Sequence, residues 1–157
     1  METISADVVT QQLLAVLDEA IEHPPKPWTY FTDHGPEAGL LGTLARLSPA
    51  DAFQITGGRS VAAHVRHVTF GMGAAAAWIR GDRGRHNWEE SWRVSGVDEA
   101  SWARLQEELR AAYRDLRAAI AAHAAAGPEA FGGAVGAVAH LAYHLGAIRQ
   151  KLPGRQP

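Results

Sequence analysis

The sequence predicts an all-α fold: a four-helix bundle forming one domain over residues 1–157. Three observations predict it. Four long stretches carry apolar residues at helical spacing, no stretch alternates with period two for long enough to make a strand, and 46% hydrophobic with 20% charged residues is a globular composition. A chain of this size buries roughly 70% of the surface its unfolded form exposes, which supports a core without cross-links. No segment repeats at a fixed period.

The first helix is expected from Ile4 to Glu22, where Ile4, Val8, Leu13, Leu14, Leu17 and Ile21 recur at helical steps. Thr3 or Ser5 offers a cap, and Pro24-Pro25 ends it. The stretch PPKPWTYFTDHGPEAG reads as a structured loop, because Trp28, Tyr30 and Phe31 call for burial. Leu40 to Leu47 predicts a short helix closed by Ser48-Pro49. The second long helix is Ser60 to Arg80, with Val61, Val65, Val68, Met72, Ala75 and Ile79 inward and Arg59, Arg66, Thr69 and Arg80 opposite. About 35 residues separate the first two long helices, which leaves room for a crossover connection.

Gly81 to Arg93 (GDRGRHNWEESWR) reads as a solvated loop. The third helix is the longest, from about Asp98 to Ala126, with Ser95 or Asp98 as its cap and Glu99 suited to the dipole of the first turn. Its apolar line is Trp102, Leu105, Leu109, Ala112, Leu116, Ile120 and His123, with charged pairs such as Glu107–Arg110 outside, and Gly127-Pro128 stops it. The fourth helix is expected from about Gly132 to Leu152, with Val138, Leu141, Leu145, Ile148 and Leu152 as its stripe and Pro153-Gly154 after it.

Composition removes several classes of function. With 15 basic and 17 acidic residues the net charge is -2, so nucleic acid is not an expected partner. The absence of cysteine excludes disulfides, thiolate metal ligands, an iron–sulfur site and a catalytic thiol. The N-terminal stretch lacks the features of a signal peptide, and no apolar run approaches the ~18 residues of a membrane span; Val68 to Ile79 comes nearest. A cytoplasmic protein is expected. Eight histidines remain as the candidates for chemistry.

His140 and His144 stand four apart in HLAYH on the fourth helix. Four residues advance a helix by ~400°, so both imidazoles share one face, a geometry in which two side chains can hold one divalent ion. Gly133, Ala137 and Ala147 keep that face small, as a close helix contact or a cavity requires. His64 and His67 stand three apart in HVRH on the second helix, and both face away from its basic side. Periodicity places both inward and does not choose between them. A third imidazole from this helix would complete a three-His site with open positions for water or substrate, the pattern of catalytic metals. The competing reading is four core histidines satisfied by water and neighbours, and it must meet the cost of burying unpaired imidazoles with no inward carboxylate in view. His123 reads as structural, and His23, His34 and His86 carry no assigned role.

Two segments resemble the DinB-like (DinB/YfiT) superfamily of metal-dependent bacterial proteins. GGRSVAAHVRHVTFGMGAAAAWIRGD is similar to that family's second helix, in which a small-residue start precedes the metal histidine by seven positions; Ser60 and His67 match. AVAHLAYHLGAIRQ is similar to its closing motif, with His140, His144 and Gly146 in place. The stretch from Trp88 to Trp102 looks like one branch of the family, and the likeness runs from about residue 5 to 152. The resemblance implies a crossover-connected bundle, often a homodimer. It implies a divalent metal (zinc, nickel, iron or manganese) on His67, His140 and His144. For some relatives it implies transferase or isomerase chemistry with a low-molecular-weight thiol. Relatives often carry Gln after the closing Gly; here Ala147 stands there and Gln150 is the nearest amide. His64 is an additional imidazole, read as a partner of a ligand, a proton shuttle or simply buried.

Gly71-Met72-Gly73 with Ala76 imitates a dinucleotide fingerprint, but no strand precedes it. G-x-S-x-G and H-E-x-x-H are absent. Three classes remain: a metal-dependent enzyme acting on a small molecule, a helical bundle that binds a metal or small ligand without turnover, and a metal-free structural bundle. All-imidazole ligation favours zinc, nickel, copper or iron over magnesium or calcium.

Overall fold

The computed structural model describes residues 3–23, 27–55, 57–96 and 98–152; among these there are six helices and no strand. They are α1 (Ala6–Ile21), α2 (Leu40–Leu44), α3 (Pro49–Phe53), α4 (Val61–Ile79), α5 (Glu99–His123) and α6 (Pro128–Arg149), with 3₁₀ turns at Glu90–Trp92 and Ala124–Ala126.

Three of the four long helices start on a side-chain cap. Ser5, Ser60 and Asp98 accept hydrogen bonds from the backbone N–H of Val8, Ala63 and Ser101, so each satisfies a donor that the first turn leaves open. The fourth, α6, opens on Pro128, whose missing N–H costs nothing at the first helical position. Gly127-Pro128 therefore starts α6 as well as separating it from α5, and α6 begins earlier than the expected Gly132. Ser48-Pro49 behaves the same way. Expected only as a stop, it opens α3 through a capping box in which the Asp51 N–H donates to Ser48 Oγ and the Ser48 N–H donates to Asp51. Pro24-Pro25 and Pro153-Gly154 lie outside the described residues.

The helix α4 packs along α5 and α6, and α1 packs against the same two helices. Leu17, Ile21, Leu40, Leu44, Val65, Val68, Leu109, Leu116, Ile120, Leu141 and Ile148 are buried in one continuous core. Polar anchors fix α1 to α5: Asp18 accepts from Tyr113 at 2.6 Å and from Arg117 Nε at 3.0 Å. Gly39 lets the start of α2 lie against the end of α1, where an added Cβ would fall 2.4 Å from the Glu22 carbonyl oxygen.

Several side chains depart from the periodic expectation. His123 is exposed, because the apolar line of α5 ends at Ile120 and the chain then tightens into a 3₁₀ turn. Thr69 is buried and bonds back to the Val65 carbonyl at 2.8 Å instead of joining the basic face. Glu107 pairs with Arg114 and not Arg110. Trp28, Tyr30 and Phe31 are about half exposed; what orders their loop is backbone hydrogen bonding. At 22 residues, α6 is also long and apolar enough to meet the length and hydropathy test for a membrane span, which no uninterrupted apolar run had suggested. Its apolarity comes from Ala, Val, Leu, Ile and Phe, and it packs against α4 and α1.

The inward carboxylate missing from the sequence reading is Glu19. It is fully buried and accepts from the backbone N–H groups of Tyr30, Phe31 and Thr32 and from the Thr32 hydroxyl, at 2.8–2.9 Å. Burial by itself raises a carboxyl pKa; these donors outweigh it and hold Glu19 below the usual carboxylate value. Glu19→Ala leaves those N–H groups without their acceptor and is expected to destabilise the fold by about 2–4 kcal/mol in urea titration. A lowered folded pKa means that the unfolded chain binds the proton more tightly. The contribution of Glu19 is therefore complete above about pH 5 and declines as the pH falls below the ordinary Glu value of about 4.3. In Glu19→Gln the acid limb of the stability profile should flatten.

Candidate metal centre

Four imidazoles meet between α4 and α6. His64 and His67 come from α4, and His140 and His144 from α6; His64, His67 and His144 are buried and His140 is half-buried. The rings interleave as two pairs. His67 Nε2 lies 3.1 Å from His140 Nε2, and His64 Nδ1 lies 3.0 Å from His144 Nδ1. Close helix approach makes this possible. Gly71 faces His140, and an added Cβ there would fall 2.9 Å from His140 Cε1. The two mid-helix glycines that imitated a nucleotide loop thus sit inside α4, one of them beneath a histidine ring.

The 3₁₀ turn Glu90–Trp92 closes the site from outside. Ser91 is fully buried, and its hydroxyl donates to the Trp88 carbonyl at 2.6 Å. A hydroxyl has one proton, so toward His67 Nδ1, 2.6 Å away, Ser91 Oγ can only accept. This assigns His67 the Nδ1–H tautomer and leaves its Nε2 lone pair facing His140. Trp92 stacks flat on His67 at 3.8 Å with 9° between the ring planes, and the Arg59 guanidinium lies 4.4 Å over Trp92. The His67 ring is therefore fixed in tautomer by Ser91 and in plane by Trp92.

Burial keeps the cluster uncharged. It pushes His67 down to about 4, helped by the repulsion that protonated His140 and His64 and the Arg59 charge would exert, and it pushes His144 down to about 3, helped by the same repulsion from His140, His67 and His64. His64 is lowered by burial and by Lys151 and Arg59, and His140 by burial. Neutral imidazoles present lone pairs, as metal ligation requires.

His67, His140 and His144 each offer one ligand nitrogen, and these atoms all lie within 4.8 Å of one another, so the three can hold a metal ion. The donor set fits. Two nitrogens bound to one tetrahedral zinc at about 2.0–2.1 Å stand about 3.3 Å apart, close to the separation of the two Nε2 atoms. His64 is not in this group. Its Nδ1 lies against His144 Nδ1, and of the two histidines that periodicity left open it is His67 whose ligand nitrogen groups with those of His140 and His144. Gly133 and Ala137 line a groove ending at His140, while Ala147, Gln150 and Lys151 line a second cavity at His64. The small residues of α6 thus serve both as close contact and as cavity wall. His86 reaches the groove, whereas His23, His34 and His123 are exposed and away from the cluster.

Ser91 and Trp92 carry the support of the site, and sequence reasoning assigned neither of them a role. Their signal was the W-E-E-S-W stretch, which stood out only as part of a resemblance. No family model matches the chain, and no curated protein and no solved structure matches it.

Removing the acceptor for His67 Nδ1–H should loosen the ligand without opening the fold. Ser91→Ala is expected to weaken zinc binding about 10–100-fold in chelator competition, with the helical circular dichroism of the native protein retained.

Proposed function

We propose that this chain is a metal-dependent enzyme of the DinB-like kind: a four-helix bundle with a crossover between α1 and α4, in which His67, His140 and His144 hold one divalent ion. The observation that carries the reading is the pair of Nε2 atoms 3.1 Å apart, with the His67 lone pair fixed by Ser91. An ion on three neutral imidazoles keeps its positive charge, so it can acidify a bound water or thiol and polarise an electrophile. The protein's own part is to keep the imidazoles neutral, to orient His67 through Ser91 and Trp92, and to place His64 beside His144. The resemblance adds a transferase or isomerase reaction with a low-molecular-weight thiol as co-substrate. Arg59 and Lys151 lie on the His64 side and suit a co-substrate that carries a carboxylate.

Metal analysis tests the reading. Untagged protein is expected to carry about one divalent ion per chain, and His140→Ala/His144→Ala to carry none while remaining helical. With zinc at 100 times its Kd, the native protein should gain about 2.7 kcal/mol of stability and the double variant none. A native protein that neither holds nor takes up zinc or nickel would sink the proposal.

Pairing of two copies belongs to the same proposal. Its support is an apolar groove of about 490 Å³ between α1 and α6, bordered by exposed Val8, Phe131 and Val135. Phe131→Glu/Val135→Glu is expected to sediment as a monomer and the native protein as a dimer.

A further inference from the structure

On the His140 side of the cluster a groove of about 480 Å³ runs between α4, the 81–89 loop and α6. Its size is that of a small-molecule site. Its walls are the indoles of Trp78 and Trp88, both about half exposed, and its floor is made of small residues, among them Ala74, Ala75, Gly136 and Ala137. His140 closes one end. It is the half-buried member of the three-His group, so the open side of that group and the end of the groove coincide.

The walls are held in place before anything binds. Trp78 Nε1 donates to the Glu129 carbonyl at 3.2 Å, and Arg83 covers the ring at 3.9 Å while pairing with Glu129 at 2.5 Å. Trp88 is set edge-on to Phe70, with centroids 5.3 Å apart, and its carbonyl is tied to Ser91. Indoles left exposed and fixed across a concave, Gly/Ala-floored surface lose water favourably to a flat apolar ligand and lose little conformational freedom in doing so. No Asp, Glu, Lys or Arg side chain lines the groove; its polar side-chain groups are His86, His140 and the indole N–H groups of Trp88 and of Trp78, the latter engaged by Glu129. Among the lining side chains a phosphate or other polyanion would find no counter-charge, and Arg83, stacked on Trp78, is already paired with Glu129.

We infer that this groove is the substrate-body site of the His67/His140/His144 centre, and that it takes an uncharged compound with an aromatic or similarly flat apolar body whose polar head reaches His140. The inference rests on the metal reading for the head group and on the groove alone for the body. Gly136 separates the two parts. A Cβ added there meets nothing within 4 Å, so a larger side chain extends into the groove without displacing a neighbour.

Two arms test it, both by calorimetry. In the first, metal-free protein is titrated with 2-naphthol. Binding is expected for the native protein and for Gly136→Ala, with at least a tenfold loss in Gly136→Leu. In the second, zinc-loaded protein is titrated with acetohydroxamate and benzohydroxamate. The aryl compound is expected to bind at least tenfold more tightly. In Gly136→Leu that advantage should shrink to within twofold, while zinc stoichiometry and acetohydroxamate affinity stay at native values. Benzohydroxamate no tighter than acetohydroxamate on loaded protein, or an aryl preference that survives Gly136→Leu, overturns the groove while leaving the metal reading standing. If zinc does not bind, the metal reading falls separately; naphthol binding that Gly136→Leu abolishes still supports the body site, and absence of naphthol binding overturns it.

Discussion

The structure is governed by the packing of four imidazoles between α4 and α6, three of them buried and one half-buried, with no carboxylate among them. An imidazole taken out of water needs a partner for its N–H and is costly to protonate. The solution here is reciprocal pairing: His64 with His144, His67 with His140, and the spare Nδ1–H of His67 with Ser91. Each pair takes one ring from each helix, so the separation of α4 and α6 follows from ring contacts. That separation explains Gly71, which has no room for a side chain above His140. It also explains why the 3₁₀ turn must reach in far enough to bury Ser91.

Much of the architecture was legible because it follows from short-range rules. The apolar periods of α1, α4, α5 and α6 mark helices, and Ser5, Ser60 and Asp98 mark where three of them begin. Boundaries failed where one residue pair ends an element and starts another, as at Ser48-Pro49 and Gly127-Pro128, since proline stops one helix and suits the first turn of the next. His140 and His144 were legible as a pair because four residues nearly close a helical turn. His67 was not separable from His64 by periodicity. The difference between them depends on which ring nitrogen faces which neighbour across the helix interface.

Glu19 and Ser91 mark the limit of local reading. A glutamate one turn from the end of an amphipathic helix reads as solvated, yet Glu19 is the acceptor around which residues 30–32 are ordered, eleven to thirteen positions away. A serine in a charged loop reads as surface, yet Ser91 sets the tautomer of a histidine twenty-four positions earlier. In both cases the partner is brought in by a loop path that no periodic pattern encodes. The half-exposed Trp28, Tyr30 and Phe31 teach the converse: aromatic content alone does not bury a loop when backbone donors already have an acceptor.

The turn that carries Ser91 and Trp92 against His67 also carries Trp88 into the groove. One short segment therefore touches both the imidazole cluster and the surface beside it. By thermodynamic linkage, any preference of this segment for the arrangement seen here is shared: whatever steadies it from the groove side raises affinity on the imidazole side, and by the same factor in reverse. Were both places filled, their occupancies would be coupled through five residues of backbone, with no movement of the helices required.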